Sequence, residues 1–271
     1  MSNDQNLPVL IAEHRGAACW LRLNRPQALN AVTHEVLEAM QAELDRIESD
    51  ERIRAVVLTG TGKAFCAGAD LKHAKGRTDT DDPEQAAAAN ALFTAAFGAV
   101  LDRLEAFPKP VIAAVNGVAV AAGIEFLLCC DFVLAGAGAR IGDAHANYGL
   151  IPGGGSTARL PRRVGVSLAK YLIYTGDILP AQEFVGTGLV LRVVPDAQLE
   201  EEVQQLAEKL ASRSPLALRR TKRLIDDGLQ MPLELALRHE REVNRQHAAS
   251  HDRREGLAAF AQRRTPNFIG R

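Results

Sequence analysis

Residues 110–131 read Pro-Val-Ile-Ala-Ala-Val-Asn-Gly-Val-Ala-Val-Ala-Ala-Gly-Ile-Glu-Phe-Leu-Leu-Cys-Cys-Asp, and almost all of them are apolar or small. Glu125 is the one carboxylate ahead of the final aspartate. A buried ionised carboxylate needs hydrogen-bond donors or a raised pKa. The small residues around it would let another group approach the backbone closely. Glu125 is therefore either part of a functional site or a core glutamate satisfied by a neighbouring donor.

The chain on both sides of this stretch alternates between strand and helix patterns. Continuous apolar runs predict buried strands over 55–59, 111–115 and 132–135. Thr33 is expected to cap a helix that ends at Ser49. The apolar face of that helix consists of residues at helical spacing: Leu37, Met40, Leu44 and Ile47. Further strands are predicted over 9–13, 17–23 and 189–194. Further helices are predicted over 82–105, 166–175 and 180–187, and two more are expected, one that begins near Ala121 and one that ends at Leu160.

The pattern changes after residue 198. Residues 199–212, 215–227, 232–249 and 253–262 all read as helices, with no strand signal between them. Alternating strands and helices followed by an all-helical tail predict an α/β core with a helical appendage. The expected division is therefore 1–198 for the core and 199–271 for the C-terminal helices.

Composition restricts the class of protein. The 271 residues are 47% hydrophobic and 24% charged, with a formal net charge of −1. A near-zero charge argues against binding to nucleic acid or to an anionic membrane, since both favour a basic excess. The four cysteines form no C-x-x-C pair, and the N-terminus lacks a basic-then-apolar pattern. These features predict an intracellular, cytoplasmic protein without a disulfide framework.

Several common catalytic motifs are missing or incomplete. Residues 153–157, Gly-Gly-Gly-Ser-Thr, lack the lysine of a phosphate-binding P-loop. There is no G-x-S-x-G sequence of a serine hydrolase and no H-E-x-x-H metal motif. Two segments rich in small residues, 60–71 and 110–131, remain as candidates, together with one acid, Glu125. Backbone amides from two such loops can hold a developing oxyanion, and a nearby acid can move a proton. The pattern thus indicates acid–base chemistry next to a carbonyl group.

Four segments follow one another along the chain: Leu-Asn-Arg-Pro-Gln-Ala-Leu-Asn-Ala at 23–31, Ala-Phe-Cys-Ala-Gly-Ala-Asp-Leu at 64–71, Lys-Pro-Val-Ile-Ala-Ala-Val-Asn-Gly at 109–117 and Gly-Leu-Ile-Pro-Gly-Gly-Gly-Ser at 149–156. In this order they resemble the successive signatures of the crotonase (enoyl-CoA hydratase/isomerase) family. The resemblance extends from about Leu21 to the C-terminus, where Asp-Arg-Arg-Glu-Gly at 252–256 and Pro-Asn-Phe at 266–268 also fit.

This resemblance implies a ββα spiral core that binds an acyl-CoA thioester, with the C-terminal helices forming a trimer or a hexamer and closing the active site. Coenzyme A enters as part of the substrate, and neither a cofactor nor a metal is expected. By position, the amides of Ala69 and Ala122 match the oxyanion hole, with Ala122 standing where glycine is usual. The positions that match CoA- and substrate-binding segments are Gln27, Ala28, Leu29, Ala67, Asp70 and Leu71.

The same resemblance places Glu125 at the first of the two catalytic glutamates of the hydratases. The second glutamate position, counted back from Ile-Pro-Gly at 151–153, is occupied by His145. An imidazole can replace a carboxyl group as proton donor or acceptor near neutral pH. The alternative is a loop histidine bonded to the backbone. Asp143 and Tyr148 lie in the same loop and are secondary candidates.

The first expectation for the reaction is hydration of a 2-enoyl-CoA, or the reverse dehydration. The enzymatic alternatives are double-bond isomerisation, thioester hydrolysis and C–C cleavage. A different class of function is a non-catalytic acyl-CoA binder that has lost the second acid. No nucleic-acid or membrane partner is expected, and basic clusters such as Arg162-Arg163 are interpreted as solvated faces or subunit contacts.

Overall fold

The structure is a computed structural model that describes residues 7–70 and 82–271. Its strands, in chain order, are β1 (Leu10–Arg15), β2 (Ala18–Leu23), β3 (Ala55–Gly60), β4 (Ala64–Cys66), β5 (Val111–Val115), β6 (Val118–Val120), β7 (Phe132–Gly136), β8 (Arg140–Gly142), β9 (Ile178–Pro180) and β10 (Arg192–Val194). Its helices are α1 (His34–Ser49), α2 (Pro83–Glu105), α3 (Ala122–Leu128), α4 (Ser156–Val164), α5 (Val166–Thr175), α6 (Leu199–Ala211), α7 (Pro215–Gly228), α8 (Leu233–His247) and α9 (His251–Gln262).

The described strands form two mixed sheets. The larger sheet has the order β1-β2-β3-β5-β7-β10, and the smaller has the order β4-β6-β8-β9. Strands β2, β3, β5, β7 and β10 run parallel, whereas β1 is antiparallel to β2. In the smaller sheet β4, β6 and β8 are parallel, and β9 is antiparallel to β8. This is an α/β fold, as the sequence predicts.

The two sheets are built together as the chain winds. Each of β3, β5 and β7 in the larger sheet is followed, after a few residues, by β4, β6 or β8 in the smaller one. The turn after β5 depends on Gly117, because a Cβ atom there would lie 2.1 Å from the carbonyl oxygen of Lys63. Since parallel strands end at the same edge, the loops that follow β4, β6 and β8 are brought together.

The main core lies between the larger sheet, the smaller sheet and helices α1–α5. Strands β3 and β5 are buried along their whole length, in agreement with their continuous apolar sequence. Helix α1 is capped by Thr33, whose hydroxyl accepts the Val36 amide, and it buries the predicted face. A second apolar cluster covers the other face of the larger sheet, where Leu199, Val203 and Ala207 of α6 pack with Trp20 and Val57.

Sequence patterns located most elements, including 111–115 and 166–175, whose predicted bounds agree with β5 and α5. The short strands of the smaller sheet were not predicted, because three residues show no measurable period. Two predictions were wrong in detail. The helix expected over 180–187 is a single 3-10 turn at Ala181–Phe184, and the strand expected over 189–194 is limited to Arg192–Val194.

No helix in the described part of the chain is both long enough and apolar enough to cross a membrane.

Candidate active site

Glu125 lies in the first turn of α3, immediately beyond β6, and is 2% exposed. Its Oε1 atom accepts the Gly154 amide at 2.7 Å and the Ser156 amide at 3.2 Å. Burial raises the pKa of Glu125 above its ordinary value, although these two amides and the nearby His145 act in the opposite direction. The carboxyl group is thus held in place and suited to gaining and losing a proton at a less acidic pH than usual.

The Glu125 carboxyl group lies beside Gly154 and near the ring of Phe97. A Cβ atom on Gly154 would lie 2.6 Å from both Glu125 Oε2 and Phe97 Cε1, so only glycine fits there. Phe97 is buried and contacts Phe126 edge-to-face, with ring centroids 5.3 Å apart. The aromatic ring beside the carboxyl group explains why desolvation dominates its pKa shift. Phe97, Gly154 and Ser156 had no role in the sequence prediction, because their contacts with Glu125 join distant parts of the chain.

The two predicted oxyanion turns are neighbours. A Cβ atom on Gly68 would lie 3.0 Å from the Ala121 Cβ and 4.0 Å from the Ala122 amide nitrogen. Gly68 (φ 106°) and Ala121 (φ 49°, ψ −117°) both have positive φ angles, which bend the chain sharply just before Ala69 and Ala122. Both turns follow strands of the smaller sheet, β4 and β6, so the sheet fixes their separation.

The amides of Ala69 and Ala122 are available to an acyl oxygen. Val32 bonds the Gly68 carbonyl and the Asp70 amide, so the amide of Ala69, which lies between them, points to the other side. Ala122 is the first residue of α3, and a helix provides no internal acceptor for its first amides. Within residues 7–70 and 82–271 neither amide donates a hydrogen bond. The structure therefore brings both predicted donors to one place, close to Glu125.

His145 opens a 3-10 turn, His145–Tyr148, that follows β8. Its Nδ1 atom lies 2.9 Å from Oδ1 of Asp143, and the Asp143 side chain is fully buried. Burial lowers the pKa of His145, but the hydrogen bond and charge of Asp143, together with the charge of Glu125, outweigh this and raise it. The charge of His145 lowers the pKa of Glu125, and the charge of Glu125 raises the pKa of His145, so the two predicted acid–base groups act on each other electrostatically.

Tyr148 does not share this environment. It ends the same 3-10 turn, yet it is 71% exposed. Asp143, by contrast, was only a secondary candidate from the sequence and is the direct partner of His145. The sequence signal that could have identified this pair is the Asp-x-His spacing at 143–145.

The predicted CoA-binding residues lie on two loops that are joined to each other. Gln27 and Ala28 belong to a 3-10 turn, and the carbonyl of Leu29 accepts the Ala67 amide at 3.0 Å. Asp70 forms a 2.7 Å ion pair with Arg25, which also donates to the Ala31 carbonyl. Leu71 lies outside the described residues.

Buried Asn30 is a further residue whose role the sequence did not reveal. Its side chain accepts the Arg25 amide and donates to the carbonyls of Thr61 and Ala64. It therefore ties the loop at 24–31 to the turn that precedes β4. No group of three or more His, Cys, Asp or Glu side chains that could hold a metal ion is found in the described residues.

Known proteins match this chain over almost its whole length. The family model for enoyl-CoA hydratase/isomerase matches residues 13–271. The chain is 40% identical over 262 residues to the 2,3-dehydroadipyl-CoA hydratase of Escherichia coli K12, covering 97% of this chain and 99% of that protein. It is 35% identical to the crotonyl-CoA hydratase of Syntrophomonas wolfei, with 97% and 98% covered.

Solved structures give the same result at the level of the fold. The crystal structure of an enoyl-CoA hydratase from Bacillus anthracis superposes with a TM-score of 0.90 at 39% identity, covering 97% of this chain and all of that one. The fold class expected from the sequence resemblance is thereby confirmed. On its motifs, its spiral core and these full-length matches, this chain belongs to the enoyl-CoA hydratase/isomerase (crotonase) family.

Proposed function

We propose that this protein is an enoyl-CoA hydratase, a hydro-lyase that adds water to a 2-enoyl-CoA thioester and catalyses the reverse dehydration. The observation that carries the proposal is the buried carboxyl group of Glu125 on the helix that begins with Ala122, next to the turn of Ala69, with His145 acting on it electrostatically. The full-length relatives are themselves named as hydratases of acyl-CoA substrates.

In the proposed reaction Glu125 takes a proton from water while the water oxygen bonds to C3 of the enoyl group. The π electrons move into the thioester carbonyl and form an enolate. The amides of Ala69 and Ala122 donate hydrogen bonds to the enolate oxygen, where negative charge develops. His145 then gives a proton to C2, and the proton on Glu125 returns to His145 through solvent.

The CoA portion is proposed to lie along the loops that carry Gln27, Ala28, Leu29, Ala67 and Asp70, which the resemblance assigns to it. One of the two loops, at 67–70, contains the turn of Ala69, and the other, at 24–31, contacts it. The hydrogen bond between Ala67 and Leu29 gives them a fixed relative position. Leu71 belongs to the same proposed segment.

The test is an assay of the purified protein with crotonyl-CoA and with longer, branched, aromatic and dicarboxylic 2-enoyl-CoAs. Loss of the enoyl absorbance and appearance of the 3-hydroxyacyl product are expected for at least one substrate. Glu125→Gln keeps the size of the side chain but removes its proton chemistry. We expect it to lower kcat by roughly 10²–10⁴-fold.

Three results would contradict this proposal or its mechanism. Wild-type protein that hydrates none of the substrates is not a hydratase, and calorimetric binding of acyl-CoA without turnover would identify a non-catalytic binder. Unchanged kcat in Glu125→Gln would remove Glu125 from the mechanism. The exposed Glu183→Gln is the matched control, because it makes the same chemical change away from the site.

Double-bond isomerisation is the second candidate, favoured by the presence of an imidazole where the hydratases carry a second carboxylate. Glu125 alone can move a proton between carbon atoms of a bound enolate. Conversion of a 3-enoyl-CoA to its 2-enoyl isomer, without hydration, would make this the main activity. Thioester hydrolysis and C–C cleavage would be recognised in the same assay by release of free CoA or of a shorter acyl-CoA.

The C-terminal region 199–271 is proposed to form a homotrimer or a homohexamer, and to close the active site over the core 1–198. Helix α8 buries no residue within the described part of the chain. Large apolar side chains of α7, α8 and their connection are exposed, namely Ile225, Leu229, Met231, Leu233, Leu235 and Leu237.

A cytoplasmic location is proposed from the four unpaired, buried cysteines, which suit a reducing compartment.

A further inference from the structure

The segment Asp143-Ala144-His145 forms a compact unit at the end of β8. Ala144 has left-handed backbone angles, φ 61° and ψ −5°, which turn residues 143 and 145 toward the same side. Asp143 Oδ1 consequently lies 2.9 Å from His145 Nδ1 and 3.4 Å from the His145 amide nitrogen. One carboxylate oxygen thus contacts both the backbone and the ring of His145.

This unit is anchored to the oxyanion turn. The carbonyl of Asp143 accepts the Ala121 amide at 3.0 Å, and Val120 pairs with Gly142 in the neighbouring strands β6 and β8. The Asp143 side chain is fully buried, and its Oδ2 atom has no hydrogen-bond partner in the described residues. The His145 ring is therefore the one side-chain hydrogen-bond partner that the Asp143 carboxylate has in the described residues.

We propose that Asp143 is a positioning residue that holds the His145 ring with Nδ1–H on the carboxylate, so that Nε2 carries the proton delivered to the substrate. A carboxylate only accepts hydrogen bonds, and Nδ1 must therefore be the donor in this contact. The tautomer and orientation of the ring follow from that bond. Asp143, which follows β8, and Glu125 of α3 are the charged groups that act on the imidazole within the described chain.

The consequence is a reactive pair of opposite charges, a carboxylate and an imidazolium, in place of two carboxylates. Asp143 raises the pKa of His145 and so keeps the imidazolium available at higher pH. This inference rests on the proposed hydration, in which His145 acts as an acid. Hydration should then fall on the alkaline side, as pH rises through the pKa of His145.

Asp143→Asn tests the inference, because it keeps the shape of the side chain but removes its charge. Loss of that charge lowers the pKa of His145, so the alkaline limb of kcat/KM should move to lower pH by roughly one unit or more. KM for the enoyl-CoA should stay the same, since Asp143 is proposed to contact only His145. Glu183→Gln, an exposed carboxylate lost from the same half of the chain, should keep the wild-type profile.

A second measurement is made on the wild-type protein, and a variant is needed only to assign its signals. Nitrogen-15 NMR of histidine-labelled protein, with the His145 signals assigned from their loss in His145→Gln, should show a protonated Nδ1 across the titration of Nε2. A neutral ring protonated on Nε2 at pH 7 would overturn the inference, as would a wild-type pH profile in folded Asp143→Asn. Absence of hydration by the wild type would instead refute the proposed function and leave the NMR result to decide the role of Asp143.

Discussion

At the scale of single residues, two alanines beside the site adopt backbone conformations that favour glycine. Ala121 (φ 49°, ψ −117°) precedes the proposed oxyanion amide, and Ala144 (φ 61°) separates Asp143 from His145. Such conformations cost on the order of 1–3 kcal/mol for residues that carry a Cβ atom. The surrounding hydrogen bonds maintain them, since the Ala121 amide bonds to the Asp143 carbonyl. Two of the five non-glycine residues that have positive φ angles in the described chain thus lie where the two proposed catalytic turns meet.

Ala121→Gly is expected to stabilise the protein by about 1 kcal/mol. Relief of the strained φ angle outweighs the added flexibility of the unfolded chain, which costs roughly 0.4–1 kcal/mol. The free energy of unfolding in urea measures the change. Ala119→Gly is the matched control, because Ala119 is a buried strand residue without a positive φ angle, and there glycine should destabilise. A loss of stability in Ala121→Gly similar to that of the control would contradict the assignment of strain.

At the scale of elements, the smaller sheet positions the site although its strands have three residues each. Strand β4 leads to the turn of Ala69, β6 to that of Ala122, and β8 to Asp143 and His145. Helix α6 packs on the face of the larger sheet that is opposite the main core. It is joined to the sheet by the bond from Trp20 Nε1 to Gln204, 2.8 Å long, and by its buried apolar face.

Val203→Ala is expected to destabilise the protein by about 2 kcal/mol. The substitution removes two buried methyl groups from the cluster under α6 and leaves a cavity against Trp20. Urea unfolding measures this loss, and Lys209→Ala, on the exposed side of the same helix, should change stability by less than about 0.5 kcal/mol. Equal effects of the two substitutions would mean that α6 contributes little through packing. Hydratase activity below the unfolding transition should stay near wild type in both.

At the scale of the whole molecule, the C-terminal helices leave apolar surface that the described part of the chain does not cover. Leu229 is 78% exposed and Leu233 is 73% exposed, on the turn between α7 and α8 and at the start of α8. The last residues are nevertheless fixed, because the buried Asp252 accepts the amides of Ile269 and Gly270. A well-ordered tail with an exposed apolar face fits the proposed contact between copies of the chain.

The double substitution Leu229→Glu/Leu233→Glu is expected to convert the proposed trimer or hexamer into a monomer. Desolvating two new charges at an apolar contact opposes association. Sedimentation velocity at micromolar concentration measures the state of assembly. Arg223→Ala, which changes an exposed cation of α7, should sediment like the wild type. A wild-type monomer under these conditions would contradict the proposed assembly.

The sequence by itself determined the elements whose signals are local. The apolar face and the cap of α1, the buried strands β3 and β5 and the helical character of the tail all follow from patterns within a single segment. The ordered motifs also indicated the family and marked Glu125 and His145 as the positions of the two catalytic glutamates of the hydratases. Each of these signals lies within a short stretch of the chain.

The tertiary structure alone decided how those residues are arranged. The amides of Gly154 and Ser156 reach Glu125 across 29 and 31 residues, and the ring of Phe97 reaches it from α2. The pairing of Asp143 with His145 spans only two residues, yet it required the left-handed angle of Ala144, which an alanine does not reveal in a sequence. The physical reason is that hydrogen bonds and desolvation depend on distance in space, which the periodicity of a single segment does not contain.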